Sequence, residues 1–406
     1  MNDVLSNKIF EIERAIKARN QKKNDISLLN GDMGIAIFYA ALYRVTKEQK
    51  YLNTCHELVD SSIDKVARME LNPSFVTGFT GIGWSLQYLM NNNYLESTDL
   101  LQDLDAYIYD ASINKLRGKY YDFLHGGTGA AVYAMEREND EAVVFLETYL
   151  KYIDEIKEEN KYGYAWEDYT FPKGKDHLHA RAYTLGLSHG VPSIIMVLLR
   201  IHKLGINNEL TKDLITGGLN WIKANKIENV NSISEYPNCV YDSVGTIDGP
   251  SLMRWCYGDM GIALMYWDSG NILNEGDWIQ DGEDLMRRNL KRTDLIEQDF
   301  YDAGVCHGTA GVAHIFSKYH ERTRNTEFKE KADFWMTQSL QAAKHEKGPA
   351  GYKFHNAAEN NGVYYNRWRK MYGLLNGIAG VGLVFLSHLE PALNWDKALL
   401  IDHISS

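Results

Sequence analysis

The feature that most constrains the fold of this chain is a short pattern that occurs seven times. Each copy has a glycine, two further residues, a small residue and then an apolar run. The first glycines are Gly31, Gly78, Gly126, Gly190, Gly258, Gly308 and Gly377. They lie 47 to 69 residues apart, which leaves room for two helices and their loops but not for a separate domain. Repetition of one unit is typical of architectures in which each unit buries its apolar face against its neighbours.

The apolar runs and the stretches between them predict two kinds of helix. Residues 35–42 and 381–386 are apolar nearly all round, as in helices that are buried on every side. Over residues 100–116, in contrast, apolar residues recur with the spacing of one helical stripe, and Asp105 and Asp110 are expected to face away from it. The alternation predicts an all-α fold, an α/α toroid (barrel) with seven inner and seven outer helices.

The extent and composition of the chain limit the class of protein. We expect a single domain over residues 1–406, with long loops around 137–182 and 204–250. The chain has 43 basic and 54 acidic residues, a net charge of −11, which argues against nucleic-acid binding. It lacks the apolar core of a signal peptide and any run of about eighteen apolar residues that could span a bilayer. We therefore expect a cytoplasmic protein with no transmembrane segment.

Aligned on their first glycines, the repeats all carry a polar residue at the preceding position. These residues are Asn30, Thr77, His125, His189, Tyr257, His307 and Asn376. Polar side chains at the N-terminal ends of otherwise apolar helices predict that the seven positions face a shared cavity. The helix dipoles also favour negative charge there.

One position earlier, two consecutive repeats carry a cysteine, Cys256 in Trp-Cys-Tyr-Gly and Cys306 in Cys-His-Gly. Neighbouring repeats of a closed ring would bring these cysteines side by side, with His307 pointing into the cavity. Two thiolates and one imidazole suit a single Zn²⁺ ion, and three protein ligands leave a fourth position for water or a substrate thiolate. The alternative is two buried apolar cysteines and a hydrogen-bonded core histidine.

Such a metal site favours thiol chemistry over the polarisation of a carbonyl group. Two anionic sulfur ligands already neutralise the charge of the metal, so that it is a weak acid. A thiolate in the fourth position stays deprotonated near neutral pH, whereas a free thiol with a pKa of about 8.5 is only a few per cent ionised. The sequence therefore indicates S-alkylation of a thiol.

These motifs resemble those of the lanthionine synthetase C-like family, the cyclases of lanthipeptide biosynthesis. The similarity runs through all seven glycine motifs and is most specific at residues 255–258, 306–308 and 188–190. It implies a toroid with a zinc ion held by the two cysteines and the histidine named above. It also implies the reaction, in which a cysteine thiolate of a dehydrated precursor peptide adds to a dehydroalanine or dehydrobutyrine of that peptide. The product is a lanthionine or methyllanthionine thioether ring.

The addition creates an enolate that must be protonated, so an acid and a base are needed. His189 matches the catalytic histidine of the family, and Asp122 matches an aspartate that would orient it. Tyr257 is placed to protonate the enolate or to donate a hydrogen bond to it. The structural alternatives are a backbone hydrogen bond for His189, a helix cap for Asp122 and simple lining of the cavity by Tyr257. His125 shares the register of His189, and Arg254 lies close to the position of an arginine of the family but out of register.

We expect the partners to be a precursor peptide with its leader, a separate dehydratase and a transporter, through which the enzyme would associate peripherally with the membrane. With 406 residues committed to the toroid, we expect a stand-alone cyclase without a dehydratase domain. A toroidal glycosidase would need paired carboxylates, and a zinc alcohol dehydrogenase a G-x-G-x-x-G motif. A non-cyclising relative that binds or adds glutathione, or a partner-binding scaffold, would keep the same zinc ligands.

Overall fold

The computed structural model describes residues 1–19, 25–66, 68–69, 72–97, 101–171, 179–229, 231–242, 249–360 and 363–404, with the backbone alone at 356–360 and 363–366. These ranges contain fourteen α-helices. Seven motif helices each follow a glycine motif: α2 (Asp32–Thr46), α4 (Phe79–Asn91), α6 (Thr128–Arg137), α8 (Val191–Lys203), α10 (Asp259–Leu273), α12 (Thr309–Thr323) and α14 (Ile378–Leu389). Seven flanking helices alternate with them: α1 (Asn2–Lys17), α3 (Gln49–Val66), α5 (Gln102–Arg117), α7 (Asp140–Ile156), α9 (Asn208–Ala224), α11 (Gly276–Asn289) and α13 (Thr326–Gln341).

The two sets of helices differ in burial as their sequences predict. In α2 every residue from Asp32 to Leu42 is buried, and in α14 every residue from Ile378 to Ser387. The flanking helix α1 instead buries one stripe that includes Leu5, Ile9 and Ile12. Because these residues recur every three or four positions, the opposite side of α1 stays in water. A motif helix is therefore surrounded by other elements, whereas a flanking helix covers them.

Asp105 of α5 departs from the predicted pattern of its helix. Its spacing predicted a side chain facing away from the apolar stripe, but the side chain is only 5 % exposed. The Arg137 guanidinium donates to its carboxylate from Nε at 2.9 Å and from Nη2 at 2.6 Å, and the Tyr133 hydroxyl donates at 2.5 Å. A bidentate arginine and a phenol replace the water that a buried carboxylate loses. The prediction was wrong because these partners lie on another helix, α6.

The described chain clusters into two compact units. The first unit comprises Met1–Asn72, Val76–Ser97 and Asp294–Trp395, and the second Pro73–Phe75, Thr98–Thr293 and Asp396–Ser406. In the first unit, the motif helices pack in the order α12, α14, α2, α4, and α13, α1 and α3 flank them. In the second unit, α6, α8 and α10 pack in that order against α7, α9 and α11. The predicted single domain over residues 1–406 stays a prediction.

Backbone hydrogen bonds join the loops that precede neighbouring motif helices. In the first unit, Leu375 N–H donates to the Leu29 carbonyl at 2.8 Å, and Cys306 N–H donates to the Leu375 carbonyl at 3.2 Å. In the second unit, Ser188 N–H donates to the Cys256 carbonyl at 3.4 Å. Equivalent positions of adjacent repeats therefore lie side by side within each unit.

The small residue of the motif is a second glycine in every copy except the fourth, which has Ser193, and a close approach of the backbone explains this choice. A Cβ atom on Gly311 would lie 1.9 Å from the carbonyl oxygen of Val305, and one on Gly380 would lie 1.8 Å from that of Leu374. In both copies the carbonyl belongs to the residue six positions earlier. The loop thus folds back over the first turn of the helix, where no larger residue fits.

Three antiparallel two-stranded sheets lie between the helices, and the sequence prediction did not include them. They are β1 (Glu158–Asn160) with β2 (Gly163–Ala165), β3 (Ala182–Thr184) with β4 (Cys239–Tyr241), and β5 (Phe354–Asn360) with β6 (Val363–Arg369). The ranges 137–182 and 204–250, expected as long loops, contain the helices α7 and α9. Parts of both ranges, 172–178, 230 and 243–248, lie outside the described residues.

None of the helices in the described ranges has the length and hydropathy of a membrane span. The longest motif helices, α2, α10 and α12, have 15 residues each, whereas crossing a bilayer takes about 20. Most of their apolar side chains are buried inside the protein.

Candidate active site

The seven positions before the first glycines keep contact with solvent. Thr77 and His125 are exposed, and the other five side chains are half-buried. The residues one position earlier, from Leu29 to Leu375, are buried in every repeat except at Cys306. Of two adjacent residues in each loop, one is therefore accessible to solvent and the other is packed in the interior, with Cys306 as the exception. The accessible position is the polar one in the alignment of the repeats.

Asp122 and His189 meet in the second unit, in the turns before two adjacent motif helices. The Asp122 turn precedes α6, the His189 turn precedes α8, and Oδ2 of Asp122 lies 2.5 Å from Nδ1 of His189. Asp122 is 2 % exposed, whereas the His189 side chain retains 25 % of its surface. A buried carboxylate thus holds an imidazole that remains accessible.

The turn around Asp122 explains the direction of its side chain. Oδ1 accepts a hydrogen bond from the His125 N–H at 2.6 Å, and the Asp122 carbonyl accepts one from the Gly126 N–H at 2.9 Å. A Cβ on Gly126 would lie 2.5 Å from the Asp122 backbone nitrogen, so that the turn closes only with glycine there. The residue that caps α6 is Gly127, not Asp122. One oxygen of the carboxylate therefore closes the turn, and the other binds the imidazole.

The electrostatic surroundings of His189 favour its protonated form. Burial lowers the pKa of His189, but the hydrogen bond and the charge of Asp122 outweigh this effect, and the charge of Asp168 adds to theirs. The net result is a pKa above the ordinary value for histidine. An imidazole in this state can give up and take back a proton near neutral pH.

Tyr257 lies next to His189, with their ring centroids 6.1 Å apart. Two hydrogen bonds hold the loops of these residues together: the Ser188 hydroxyl donates to the Cys256 carbonyl at 3.0 Å, and the Gly258 N–H donates to the Leu185 carbonyl at 2.8 Å. Burial is the main cause that raises the pKa of Tyr257, and the charges of neighbouring acidic groups add to it. The phenol therefore stays protonated at neutral pH and can donate a hydrogen bond.

His125 and Arg254, the two further candidates, occupy different surroundings. His125 is exposed, and its ring is parallel to that of His189 within 10° at a centroid distance of 6.0 Å. Lys115 donates a hydrogen bond to the His125 carbonyl at 2.6 Å, which fixes the backbone but not the ring. Arg254 is half-buried in the loop before α10. The structure thus brings His125 to the Asp122–His189 pair.

Asp168 is a further acidic residue of this region that the motif alignment missed. It is 4 % exposed, and its negative charge raises the pKa of both His189 and Tyr257, although other causes are larger. Asp168 follows β2 and belongs to no glycine motif. The only signal in the sequence is the spacing Asp168-Tyr169-Thr170, which is typical of a turn closed by an aspartate side chain.

The three predicted zinc ligands belong to the loops before α10 and α12. Cys256, 8 % exposed, lies in the second unit, and the half-buried Cys306 and His307 lie in the first. Across the ranges that the structure describes, no three His, Cys, Asp or Glu side chains form a group that could hold a metal ion. None of the four cysteines forms a disulfide, and two thiols with an imidazole are a donor set that zinc accepts. The zinc ion stays a prediction.

Comparison with known proteins identifies the family. A sequence model of the family described as "Lanthionine synthetase C-like protein" matches residues 22–400. This chain belongs to that family. Among the similar proteins, the nisin biosynthesis protein NisC of Lactococcus lactis subsp. lactis is 22 % identical to this lanthionine synthetase C-like protein. The alignment has 418 positions and covers 95 % of this chain and 92 % of NisC.

Solved structures show the fold of this lanthionine synthetase C-like protein. The structure described as "Nisin cyclase" superposes with a TM-score of 0.74 at 19 % identity, over 98 % of this chain and 96 % of that one. The predicted all-α fold, an α/α toroid, is thereby confirmed. A cellobiose 2-epimerase from Bacillus thermoamylovorans B4167 aligns over 97 % of this chain and all of its own, with a TM-score of 0.45 and 12 % identity. That likeness is too distant to bear on function.

Proposed function

We propose that this protein is a lanthipeptide cyclase. It would add cysteine thiols of a dehydrated precursor peptide to dehydroalanine or dehydrobutyrine residues of the same peptide. Family membership and the fold shared with a nisin cyclase support this class of reaction. The observation that carries the proposal is the contact of Asp122 with His189 beside Tyr257. These groups can move the one proton that the reaction transfers from sulfur to carbon.

The proposed reaction is an addition in which no atom is lost. The cysteine sulfur forms a bond to the β-carbon of the dehydrated residue, and the π-electron pair moves onto the α-carbon and its carbonyl group. The enolate so formed takes up a proton at the α-carbon. The thiol gives up one proton and one carbon–hydrogen bond forms, so that the enzyme needs a group that both accepts and donates protons.

His189 would be that group. Its Nδ1 is bonded to Asp122, which leaves Nε2 as the nitrogen that exchanges a proton with the substrate. Asp122 would fix the ring orientation and stabilise the charged form. The protonated phenol of Tyr257 would donate a hydrogen bond to the enolate oxygen, where negative charge develops. His125 and Arg254 stay candidates for further contacts with the peptide.

We also propose that Cys256, Cys306 and His307 bind one zinc ion. When bound, the ion would supply a position at which a substrate thiol remains deprotonated near neutral pH. The donor set supports this assignment, because two thiolates and one imidazole are among the ligand sets of catalytic zinc sites. The stand-alone action of the enzyme and its association with a dehydratase, a transporter and the membrane stay predictions.

The proposal is tested by incubation of the purified protein, supplied with zinc, with a dehydrated precursor peptide. Ring closure leaves the peptide mass unchanged, so the remaining thiols are alkylated with N-ethylmaleimide and counted by mass spectrometry. We expect alkylation to decrease by one adduct for each ring formed. His189→Ala should slow ring closure about 10²- to 10⁴-fold, because a proton-transfer group typically contributes that much. His202→Ala is the matched control, because His202 lies in the last turn of α8, where it forms a hydrogen bond with Thr211.

Two results would contradict the proposal. The first is a full complement of alkylated thiols after prolonged incubation with active, zinc-supplied protein. The second is the appearance of glutathione adducts of the peptide in the presence of glutathione, with no intramolecular ring, which would favour the glutathione-adding relative. A normal rate for His189→Ala would leave the cyclase in place but assign the proton transfer to another residue.

A further inference from the structure

A turn that the proposed reaction does not use lies beside the Asp122–His189 pair. It consists of Asp168, Tyr169, Thr170 and Phe171 and is called the 168–171 turn here. Oδ1 of the buried Asp168 accepts three hydrogen bonds from within the turn: from the Thr170 N–H at 2.9 Å, the Thr170 hydroxyl at 2.8 Å and the Phe171 N–H at 3.1 Å. One carboxylate oxygen thus fixes the backbone up to Phe171.

The other side of Asp168 connects the turn to the segment that leads to His189. Oδ2 accepts a hydrogen bond from the Thr184 hydroxyl at 3.1 Å, and the Asp168 N–H donates to the Ala182 carbonyl at 2.7 Å. Ala182 and Thr184 are the ends of β3, and His189 follows five residues after that strand. The position of the turn is therefore coupled to the position of the imidazole.

Phe171 connects the turn to Tyr257. The two rings meet edge to face, with a centroid distance of 6.4 Å and an interplanar angle of 82°. Phe171 also contacts the Tyr241 ring at 6.4 Å and packs against a buried cluster that includes Ala182 and Cys239. The Tyr257 ring therefore has an aromatic neighbour whose own position is fixed by the core and by Asp168.

A third connection leads to Asp122. Trp166, two residues before the turn, is fully buried, and its indole N–H donates to the Ile153 carbonyl at 2.9 Å. The Trp166 carbonyl accepts a hydrogen bond at 3.0 Å from the hydroxyl of Tyr121, the neighbour of Asp122. The segment from Trp166 to Phe171 thus contacts the Tyr257 ring itself. It also contacts Tyr121, the neighbour of Asp122, and the strand β3 that precedes His189.

We propose that the 168–171 turn is a positioning element of this active site: Asp168 fixes the turn, and Phe171 holds the Tyr257 ring beside His189. The expected effect on the rate of ring closure rests on the proposed cyclase function, whereas the expected effect on the position of the Tyr257 ring does not. Tyr257 is half-buried, and without Phe171 its ring would have one contact fewer to define its orientation. A hydrogen-bond donor that is displaced by about 1 Å from the developing charge loses much of its effect on rate.

The kinetic test compares variants of the turn in the ring-closure assay. Phe171→Ala should lower kcat about 10- to 100-fold and change KM by less than about threefold, because the substrate still binds but Tyr257 is misplaced. Asp168→Ala should cause a similar fall, and the double variant should be no slower than the slower single variant, since both act through one ring. Asp168→Asn should restore most of the rate lost in Asp168→Ala, because its amide oxygen can accept the three hydrogen bonds of the turn and its amide nitrogen can donate to the Thr184 hydroxyl oxygen.

Tyr169→Ala is the matched control, since Tyr169 lies in the same turn but is 50 % exposed. It should keep the wild-type kcat and KM. Equal kcat values for Phe171→Ala and the wild type would overturn the proposal. So would a fall in Asp168→Ala that is not shared by Phe171→Ala, because Asp168 would then act without the ring.

A second readout does not depend on activity. 3-Fluorotyrosine is incorporated at position 257 alone, and its ¹⁹F NMR signal is recorded without substrate. We expect the signal to shift in Phe171→Ala and in Asp168→Ala, because the edge-on ring is removed or displaced, and to stay in place in Tyr169→Ala. An unchanged signal in Phe171→Ala would overturn the proposal. If the wild type closes no rings, the cyclase function fails, but the NMR signal still decides whether the turn positions Tyr257.

Discussion

The two oxygens of the Asp122 carboxylate have different partners, one in its own turn and one on His189. An asparagine of the same shape would keep the bond to the His125 N–H but would carry no charge. The contribution of the charge can therefore be separated from that of the turn. The charge acts on His189, whose pKa it helps to raise.

We expect Asp122→Asn to destabilise the protein more at low pH than at high pH. The pKa of His189 is raised on folding, so the interaction contributes stability that is fully present below the unfolded-state pKa of about 6.5 and is lost as the pH rises through the folded-state pKa. Urea unfolding at about pH 5.5 and about pH 9 should show the larger loss of unfolding free energy at the lower pH. Asp110→Asn, at an exposed position of α5, is the control. An equal loss at both pH values would contradict the prediction.

The candidate site residues that could be predicted from the sequence are those marked by their position in the repeats or by the resemblance to the family. His189 and Tyr257 could be placed before structure was known, because all seven copies of the motif put a polar residue at that position. Asp168 could not be placed in this way, because it lies outside the motif. Its position near the site depends on the turn that it closes and on its hydrogen bond to Thr184 of β3, which pairs with β4. The roles of the predicted residues stay predictions.

At the scale of the helices, the glycine motif does two tasks. The first glycine ends the turn that precedes the helix, and the second lets a carbonyl of that turn lie against the first helical turn. Both tasks are local, which explains why the seven motif helices and their burial could be predicted from the sequence. The strands could not, although Asn361-Gly362, between β5 and β6, is a typical hairpin sequence. The burial of Asp105 also could not be predicted, because it depends on Arg137, which lies on another helix.

We expect Gly311→Ala to destabilise the protein by about 3 kcal/mol or more, because its Cβ would lie 1.9 Å from the Val305 carbonyl oxygen and the backbone would have to move. Gly276→Ala is the control. Gly276 is the exposed first residue of α11 and has no neighbouring atom within 4 Å of an added Cβ. That substitution should stabilise the protein by about 0.4–1 kcal/mol, since it restricts the unfolded chain. Chemical denaturation measures both, and a stable Gly311→Ala would disprove the close approach.

For the molecule as a whole, the repeats predicted the fold but not its division into two compact units. Seven similar copies of one motif contain no signal for where the packing of the helices is densest. The toroid is confirmed by the structural similarity to a nisin cyclase. The proposed zinc site would use side chains of two different repeats. The choice of metal rests on the chemistry of these side chains, since a sequence gives ligand types and not their distances.

We expect the wild-type protein to contain one zinc ion per chain and to unfold at a lower temperature after chelation, because a ligand that binds only the folded state stabilises it. Cys306→Ala should contain no zinc and should show no effect of the chelator. Cys55→Ala is the control: burial in α3 raises the pKa of that thiol to about 12, so it stays protonated. Elemental analysis and thermal unfolding measure the outcome. A full zinc content in Cys306→Ala would remove this residue from the ligand set.

The polar position before each first glycine combines a backbone held by its neighbours with a side chain that reaches water. We expect a mutation there to change the reactivity of the protein more than the packing of its interior. Asn30, for which we propose no role, could thus acquire histidine, cysteine or an acid at little cost in folding. Evolution, or a protein engineer, can vary the catalytic repertoire of such a chain without first having to rebuild its architecture.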